Sequence, residues 1–237
     1  MRRAGRVVAD VLALMEDNLR PGITTGELDA IAEDYIRKAG AKPSFKGYHG
    51  FTGSICVSID REVVHGIPGA RVIEEGQVVS VDAGAIWQGW HGDGARTFYV
   101  GDNPPADVVR LIDTTRLALQ AGIAAAVPGV DLDEVSGAVE DVAIEGGVDI
   151  VRPYVVHGIG TRMHEELQLP NYRTGPRGVR LAPGICIAIE PMFTLGNADV
   201  ETLDDGWTVV TSDGSLAAHF EHTIAVTENG PVVLTTA

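Results

Sequence analysis

Hydrophobic and polar positions follow two periods along this chain, and the change from one to the other divides it into layers. Within residues 1–19, Val7, Val11, Leu14 and Met15 fall on one stripe at helical spacing, and Pro21-Gly22 ends the run. Thr24-Thr25-Gly26-Glu27 has the capping-box pattern and predicts a second helix to about Lys38. Segment 41–54, rich in Gly, Ser and aromatic residues, reads as a loop. From Ile55 the period is two: Ile55, Val57 and Ile59 alternate with Cys56, Ser58 and Asp60, as in a half-buried strand. Segments 77–86 and 90–100 predict two further strands joined near Gln88-Gly89, a hairpin signal. Pro104-Pro105 opens a long helix to about Ala126, and another covers roughly Leu132 to Ile144. Strand and turn patterns follow at 153–157, 185–195, 207–211, 217–227 and 231–235. Paired helices followed by antiparallel-type strands place the chain in the α+β class, not among βαβ folds.

A weak internal repeat supports two similar halves. PGITTGELDAIAEDYI at 21–36 aligns with PGVDLDEVSGAVEDVA at 128–143, an offset of 107, matching Pro, Gly, the first Glu and a later Glu-Asp pair. Two halves about a pseudo-twofold axis leave a central crevice, a usual place for a site. No linker or low-complexity stretch intervenes, so residues 1–237 read as a single catalytic domain.

Composition narrows the partners. A formal charge of −15 argues against direct nucleic-acid or anionic-membrane binding, which needs a basic face. No apolar run approaches the roughly 20 residues a membrane span requires. Asp10, Glu16 and Asp17 break the N-terminal apolar stretch, so it does not read as a signal peptide. Two cysteines, Cys56 and Cys186, make no disulfide framework, which favours a cytoplasmic location.

Four acids stand where strands should be apolar: Asp82 in VVSVDAGAI, Asp93 in GWHGDGARTFYV, Glu190 in ICIAIEPMF and Glu221 in AAHFEHTIAV. Each alone reads as an exposed residue on a solvated face. Together, a cation site explains them better, because unpaired buried carboxylates are costly. Asp82 and Asp93 lie eleven residues apart on the arms of one hairpin and approach across it. Two ionised carboxylates at that range repel unless one is protonated or a cation lies between them. Four carboxylates balance two divalent ions, and oxygen donors with some imidazole suit Mn, Fe, Co or Zn. His157, at a strand end before a Gly-rich turn in VVHGIGTRMHEEL, fits as a ligand, with His164 a little farther away. His65, in VVHGIPG, also sits at a strand end; alone it reads as structural.

The set Asp82, Asp93, His157, Glu190 and Glu221 resembles that of the type I methionine aminopeptidases. Ordered segments carry the likeness over nearly the whole chain: YHGF at 48–51, CVSID at 56–60, HGIP at 65–68, VDAGAIWQGWHGD at 81–93, HGIG at 157–160, HEE at 164–166, IEPM at 189–192, DGWTVVTSDGSLAAHFEHT at 205–223 and VTENG at 226–230. The resemblance implies a pita-bread (creatinase/aminopeptidase) fold, in which helices back antiparallel sheet in two pseudo-twofold halves. It implies removal of the initiator methionine from nascent chains whose second residue is small, by two divalent ions that activate water. By the family pattern Asp82 chelates one ion, Asp93 and Glu221 bridge both, and His157 and Glu190 complete the other. His164 donates to the oxyanion, His65 contacts the scissile amide, and Glu190 also shuttles a proton. Tyr48, Phe51, Cys56, Met163 and Trp207 line the methionine pocket. A monovalent cation and the ribosome are further candidate partners, and a monomer is expected.

Asp60-Arg61 stands where the family often has Asn-Glu, Gly94 where Thr is common, and Met163 where an aromatic is frequent. The expectation is of no N-terminal zinc-binding extension. Competing readings are a proline-specific aminopeptidase, a catalytically inactive binding protein on the same fold, and a carboxylate metal store.

Overall fold

The computed structural model describes residues 1–236. Four helices carry the outer layer: α1 (Arg2–Asn18), α2 (Thr25–Lys38), α3 (Ala106–Ala125) and α4 (Leu132–Gly146). The strands, in chain order, begin with β1 (Lys42–Pro43), β2 (Ile55–Ile59), β3 (Glu62–Val64), β4 (Val78–Trp87) and β5 (Trp90–Tyr99). After α4 come β6 (Asp149–Ile150), β7 (Val156–Gly158), β8 (Glu165–Leu169), β9 (Cys186–Ile189) and β10 (Met192–Thr194). The last five are β11 (Val200–Thr202), β12 (Val209–Thr211), β13 (Ala217–His219), β14 (Glu221–Thr227) and β15 (Gly230–Val233).

Nine of these strands form one sheet whose main path runs β1-β4-β5-β14-β9-β7-β8, with β2 on β4 and β15 on β14. Every pairing in it is antiparallel. Helices α1 and α2 pack their apolar stripes, including Val11, Met15, Leu28 and Ile36, on Val57, Val79 and Val81 of the first half. Leu119 and Val135, from α3 and α4, cover Ile187, Ile189, Ile224 and Val226 of the second half in the same way. Two small three-stranded sheets, β13-β10-β6 and β11-β12-β3, complete the described residues.

The offset of 107 reappears as matched backbone bonds. Gly22 N–H donates to Ile73 C=O at 2.8 Å, and Gly129 N–H to Leu181 C=O at 2.7 Å. Ile73 N–H returns to Ile23, as Leu181 N–H returns to Val130. Thr25 N–H then meets Arg71 C=O, as Leu132 N–H meets Val179 C=O. The two helices start alike for a physical reason: Thr24 and Asp131 each lend a side-chain oxygen to an orphan N–H of the first turn. At Thr24 the full capping box forms.

The predicted hairpin closes through Gln88 and Gly89, both at positive φ (50° and 81°), the turn that matches strand twist. Several expectations need correction. Segment 41–54 is not all loop: Lys42–Pro43 pairs with Ile86 and Ala85, and Tyr48–Gly50 forms one tight helical turn. Strand β2 is buried on both faces, not half-buried, because Cys56 joins a separate cluster with Phe45, Phe51 and Met163. Segment 185–195 is two strands broken at Glu190-Pro191, where proline cannot donate, and 217–227 breaks at Phe220. Strands β3, β6, β8 and β11 were too short, or too polar, to show a period.

Helix α1 lies close on β5, and a Cβ at Gly92 would stand 2.7 Å from the Gly5 nitrogen. Gly92→Ala is therefore expected to destabilise the fold by about 1–3 kcal/mol through overpacking. Urea denaturation would read this as a lower midpoint; an unchanged midpoint would contradict the close contact.

Candidate active site

Strand register brings the acidic residues to one face of the large sheet. Asp82 on β4 and Glu221 on β14 are both in register with Ala95 of β5, from its two sides. Asp93 lies two residues before Ala95, on the same face, and pairs with Gly84 rather than Asp82. Asp82 and Asp93 are thus diagonal neighbours, not opposed, and still near enough for each carboxyl to shift the other's proton affinity. From the other half, His157 on β7 registers with Ala188 of β9, and Glu190 follows at the end of β9, two residues on. Small side chains, Ala95 and Ala188, occupy this face between the acids and leave room among them. The odd positions Val79, Val81 and Ala83 point instead into the helical core, as their alternation predicts.

Each polar residue arrives by a local device. Thr223 accepts the Asp93 N–H at 2.9 Å and donates to the Asp93 C=O at 2.8 Å, tying β14 to β5 beside two acids. Asn171 donates to the Glu190 C=O at 2.7 Å where the strand breaks. Gly160 leaves space for the Glu165 carboxylate to fold back, which accepts the N–H of Thr161 at 3.0 Å and of Arg162 at 3.3 Å. Glu165 thereby shapes the turn that presents His164. His65 adopts φ +62°, a left-handed conformation costly for a side chain with a Cβ, and the adjoining Gly66 N–H is held by Ser58 Oγ at 3.1 Å.

These residues enclose a cavity of about 270 Å³. His157 Nε2 stands 3.9 Å from Asp93 Oδ2 and 3.8 Å from Glu221 Oε1, and donor atoms of all three lie within 4.8 Å of one another. Asp82 and Glu190 line the same cavity, so all five expected ligands meet there. Of the pocket residues, Phe51, Cys56 and Met163 are buried together, with Tyr48 and Trp207 packed against them. Trp207 meets Phe51 edge-on at 5.1 Å and His65 at 6.2 Å. Tyr48 Oη bonds His164 Nδ1 at 2.7 Å, and the His164 ring lies tilted 56° to that of His157, with centroids 4.3 Å apart. Phe45, Tyr154 and Gln168, which no motif singles out, also line the cavity. Their only signal was proximity to YHGF, HGIG and HEE.

The electrostatics ask for cations. Among the described residues no Lys or Arg lines the cavity, and Asp82 Oδ1, Asp93 Oδ1 and Glu221 Oε1 are buried without a hydrogen-bond partner. Burial chiefly pushes Asp82 up to about 7 and holds Asp93, Glu190 and Glu221 well above the usual carboxylate range. Burial also lowers His157 and His65 to about 4, so both rings are neutral near pH 7. The Cys56 thiol is pushed up by burial and then by Asp82, so Cys56 is a soft wall and not a thiolate ligand. Orphaned carboxylate oxygens with one neutral imidazole fit hard divalent ions. The Asp60 carboxylate accepts from Val78 N–H at 3.0 Å and Gln77 Nε2 at 3.3 Å, outside this centre.

A two-halved helix-backed sheet with a cation-demanding acidic cavity defines a metal-dependent hydrolase of pita-bread architecture. The chain belongs to metallopeptidase family M24, whose profile matches residues 1–228. It is 49% identical over 235 residues to methionine aminopeptidase 1 of Bacillus subtilis (strain 168), covering 99% of this chain and 94% of that protein. Identity to methionine aminopeptidase 1 of Mycobacterium tuberculosis (strain CDC 1551 / Oshkosh) is 50%, covering 99% of this chain and 91% of the relative. The crystal structure of methionine aminopeptidase from Thermotoga maritima superposes with a TM-score of 0.97 at 42% identity, covering 100% and 95% of the two chains.

Carboxylates that hold protons near neutral pH must release them to a cation, whereas His157 is already neutral. Calorimetric titration of the metal-free protein with Mn²⁺ at pH 7 is therefore expected to give an enthalpy that varies with buffer ionisation heat, with net proton release. A buffer-independent enthalpy would contradict the raised carboxylate pKa values.

Proposed function

We propose that this chain removes the N-terminal methionine from nascent polypeptides whose second residue is small. In this reading Asp82, Asp93, His157, Glu190 and Glu221 hold two divalent ions drawn from Co, Mn, Fe or Zn. The observation that carries it is the set of buried, unpartnered carboxylate oxygens beside an aromatic and sulfur-lined cleft. When bound, the ions would lower the pKa of water at the site and polarise the scissile carbonyl.

The chain's own residues supply the rest. Phe51, Cys56, Met163, Trp207 and the ring of Tyr48 receive the methionine side chain, since aromatic and sulfur surfaces suit a thioether. Tyr48 donates to His164 Nδ1, which leaves the proton on Nε2. That N–H donates to the carbonyl oxygen of the scissile bond as negative charge builds on it. His65, neutral and locked by its backbone, hydrogen-bonds the scissile amide. The Glu190 carboxylate, at the edge of the same cavity, takes a proton from the attacking water and passes it to the leaving nitrogen. No helix among the described residues is long and apolar enough to cross a membrane. In this reading the work is done in the cytoplasm, by one catalytic domain acting as a monomer, with the ribosome as a candidate docking partner.

The purified protein is expected to release methionine from Met-Ala-Ser, to stop after chelation, and to resume with added Co²⁺ or Mn²⁺. An Xaa-Pro peptide should remain uncut; preferential cleavage of it would instead make the chain a proline-specific peptidase. Glu221→Ala should abolish both turnover and metal loading, read by peptide assay and elemental analysis. Tyr48→Phe should lower kcat about tenfold by freeing the His164 ring, with the melting temperature nearly unchanged. Wild-type kcat in that variant would remove Tyr48 from the mechanism.

A further inference from the structure

His219 is buried to 1% exposure beside the candidate centre, yet it does not line the cavity. Both ring nitrogens lack a hydrogen-bond partner among the described residues. Buried polar groups are rarely left so, and each exception calls for an explanation. The ring is enclosed on all sides, and its backbone is fixed as well. His219 N–H donates to Thr97 Oγ1 at 3.0 Å, and Thr97 Oγ1 donates back to the His219 C=O at 2.7 Å. The register of β13 on β10 pairs His219 with Met192, directly behind the Glu190-Pro191 break. There His219 Nε2 stands 3.9 Å from Glu190 Oε1, just beyond hydrogen-bond range.

Glu190 has its own reason to need that neighbour. Asn171 secures its backbone carbonyl, but its carboxyl accepts no hydrogen bond among the described residues. From 3.9 Å, a closer approach of about 0.7–1 Å would put Oε1 in hydrogen-bond range of the ring.

We infer that His219 is a positioning residue: its Nε2–H holds Glu190 Oε1, and the other carboxyl oxygen is thereby aimed at the metal cavity. This rests on the reading that Glu190 serves a metal centre. Groups that orient metal-binding carboxylates typically change metal affinity or activity by about 10–100-fold when removed.

The test compares His219→Leu, which deletes the donor at similar volume, with His219→Gln, which keeps one. In His219→Leu, kcat on Met-Ala-Ser should fall about tenfold or more with KM within about twofold, and Mn²⁺ affinity by calorimetry should weaken by a similar factor. His219→Gln should recover most of both. As a check independent of either variant's folding, ¹⁵N spectra of histidine-labelled wild-type protein should show the His219 Nε2 signal shifting as Mg²⁺, a diamagnetic probe, or Zn²⁺ is added. Wild-type kcat and Mn²⁺ affinity in His219→Leu would overturn the inference. So would a Gln variant as impaired as the Leu variant, which would reduce His219 to packing against the nearby Val63 carbonyl. A His219 signal indifferent to metal would overturn it as well. Wild-type protein that binds no metal and cuts no Met-Ala-Ser would instead defeat the function proposed above.

Discussion

Mutual repulsion among acids that no basic side chain neutralises is the constraint on which the rest of this molecule depends. Asp82, Asp93 and Glu221 are buried, and Glu190 keeps only 15% of its side chain exposed. In a low-dielectric interior four such charges cannot all ionise without compensation, so they hold protons or share cations. The fold tolerates this because register, not attraction, brings them together. Strands β4, β5, β14 and β9 are fixed by their backbone ladders and by the helices behind them, and the acids ride on the opposite face. Stability is thus supplied on one side of the sheet and chemistry is assembled on the other.

The same division explains what could be read from the chain. Acidic residues inside Val- and Ile-rich strands break the patterning that a solvent-facing strand would show, so Asp82, Asp93, Glu190 and Glu221 stood out. The four helices were legible because α1 and α2 carry a stripe or a cap and proline or glycine marks their ends. Strands of two or three residues, such as Glu62–Val64 and Val200–Thr202, are too short for alternation to register. The breaks at Glu190-Pro191 and Phe220 turned two long predicted strands into four, because a run of apolar residues does not announce where the backbone turns out of plane.

Residues whose importance comes from tertiary neighbours were the hardest to see. Phe45 closes the soft pocket by occupying the space that a side chain at Gly84 would fill. Tyr154 is met edge-on by His65 at 5.7 Å across sequence-distant loops. His219 looks like an ordinary strand residue in LAAHFEHT until its unpaired ring is found behind Glu190. Local pattern gives the elements and the anomalous charges; only the packed chain reveals which uncharged neighbours hold those charges in place.

The paired ladders around Gly22–Ile73 and Gly129–Leu181 have a consequence for assembly. Each closes a loop of about fifty residues within its own half, shorter than any loop that joins the two halves through β5 and β14. The seam between β5 and β14 joins residues more than a hundred positions apart, since Gly94 meets His222 there. That seam also carries Asp93 and Glu221, diagonal neighbours on one face of the sheet. Closure of the charged groove thus depends on one long-range pairing, while each helix-and-sheet layer is tied to itself by its own ladder.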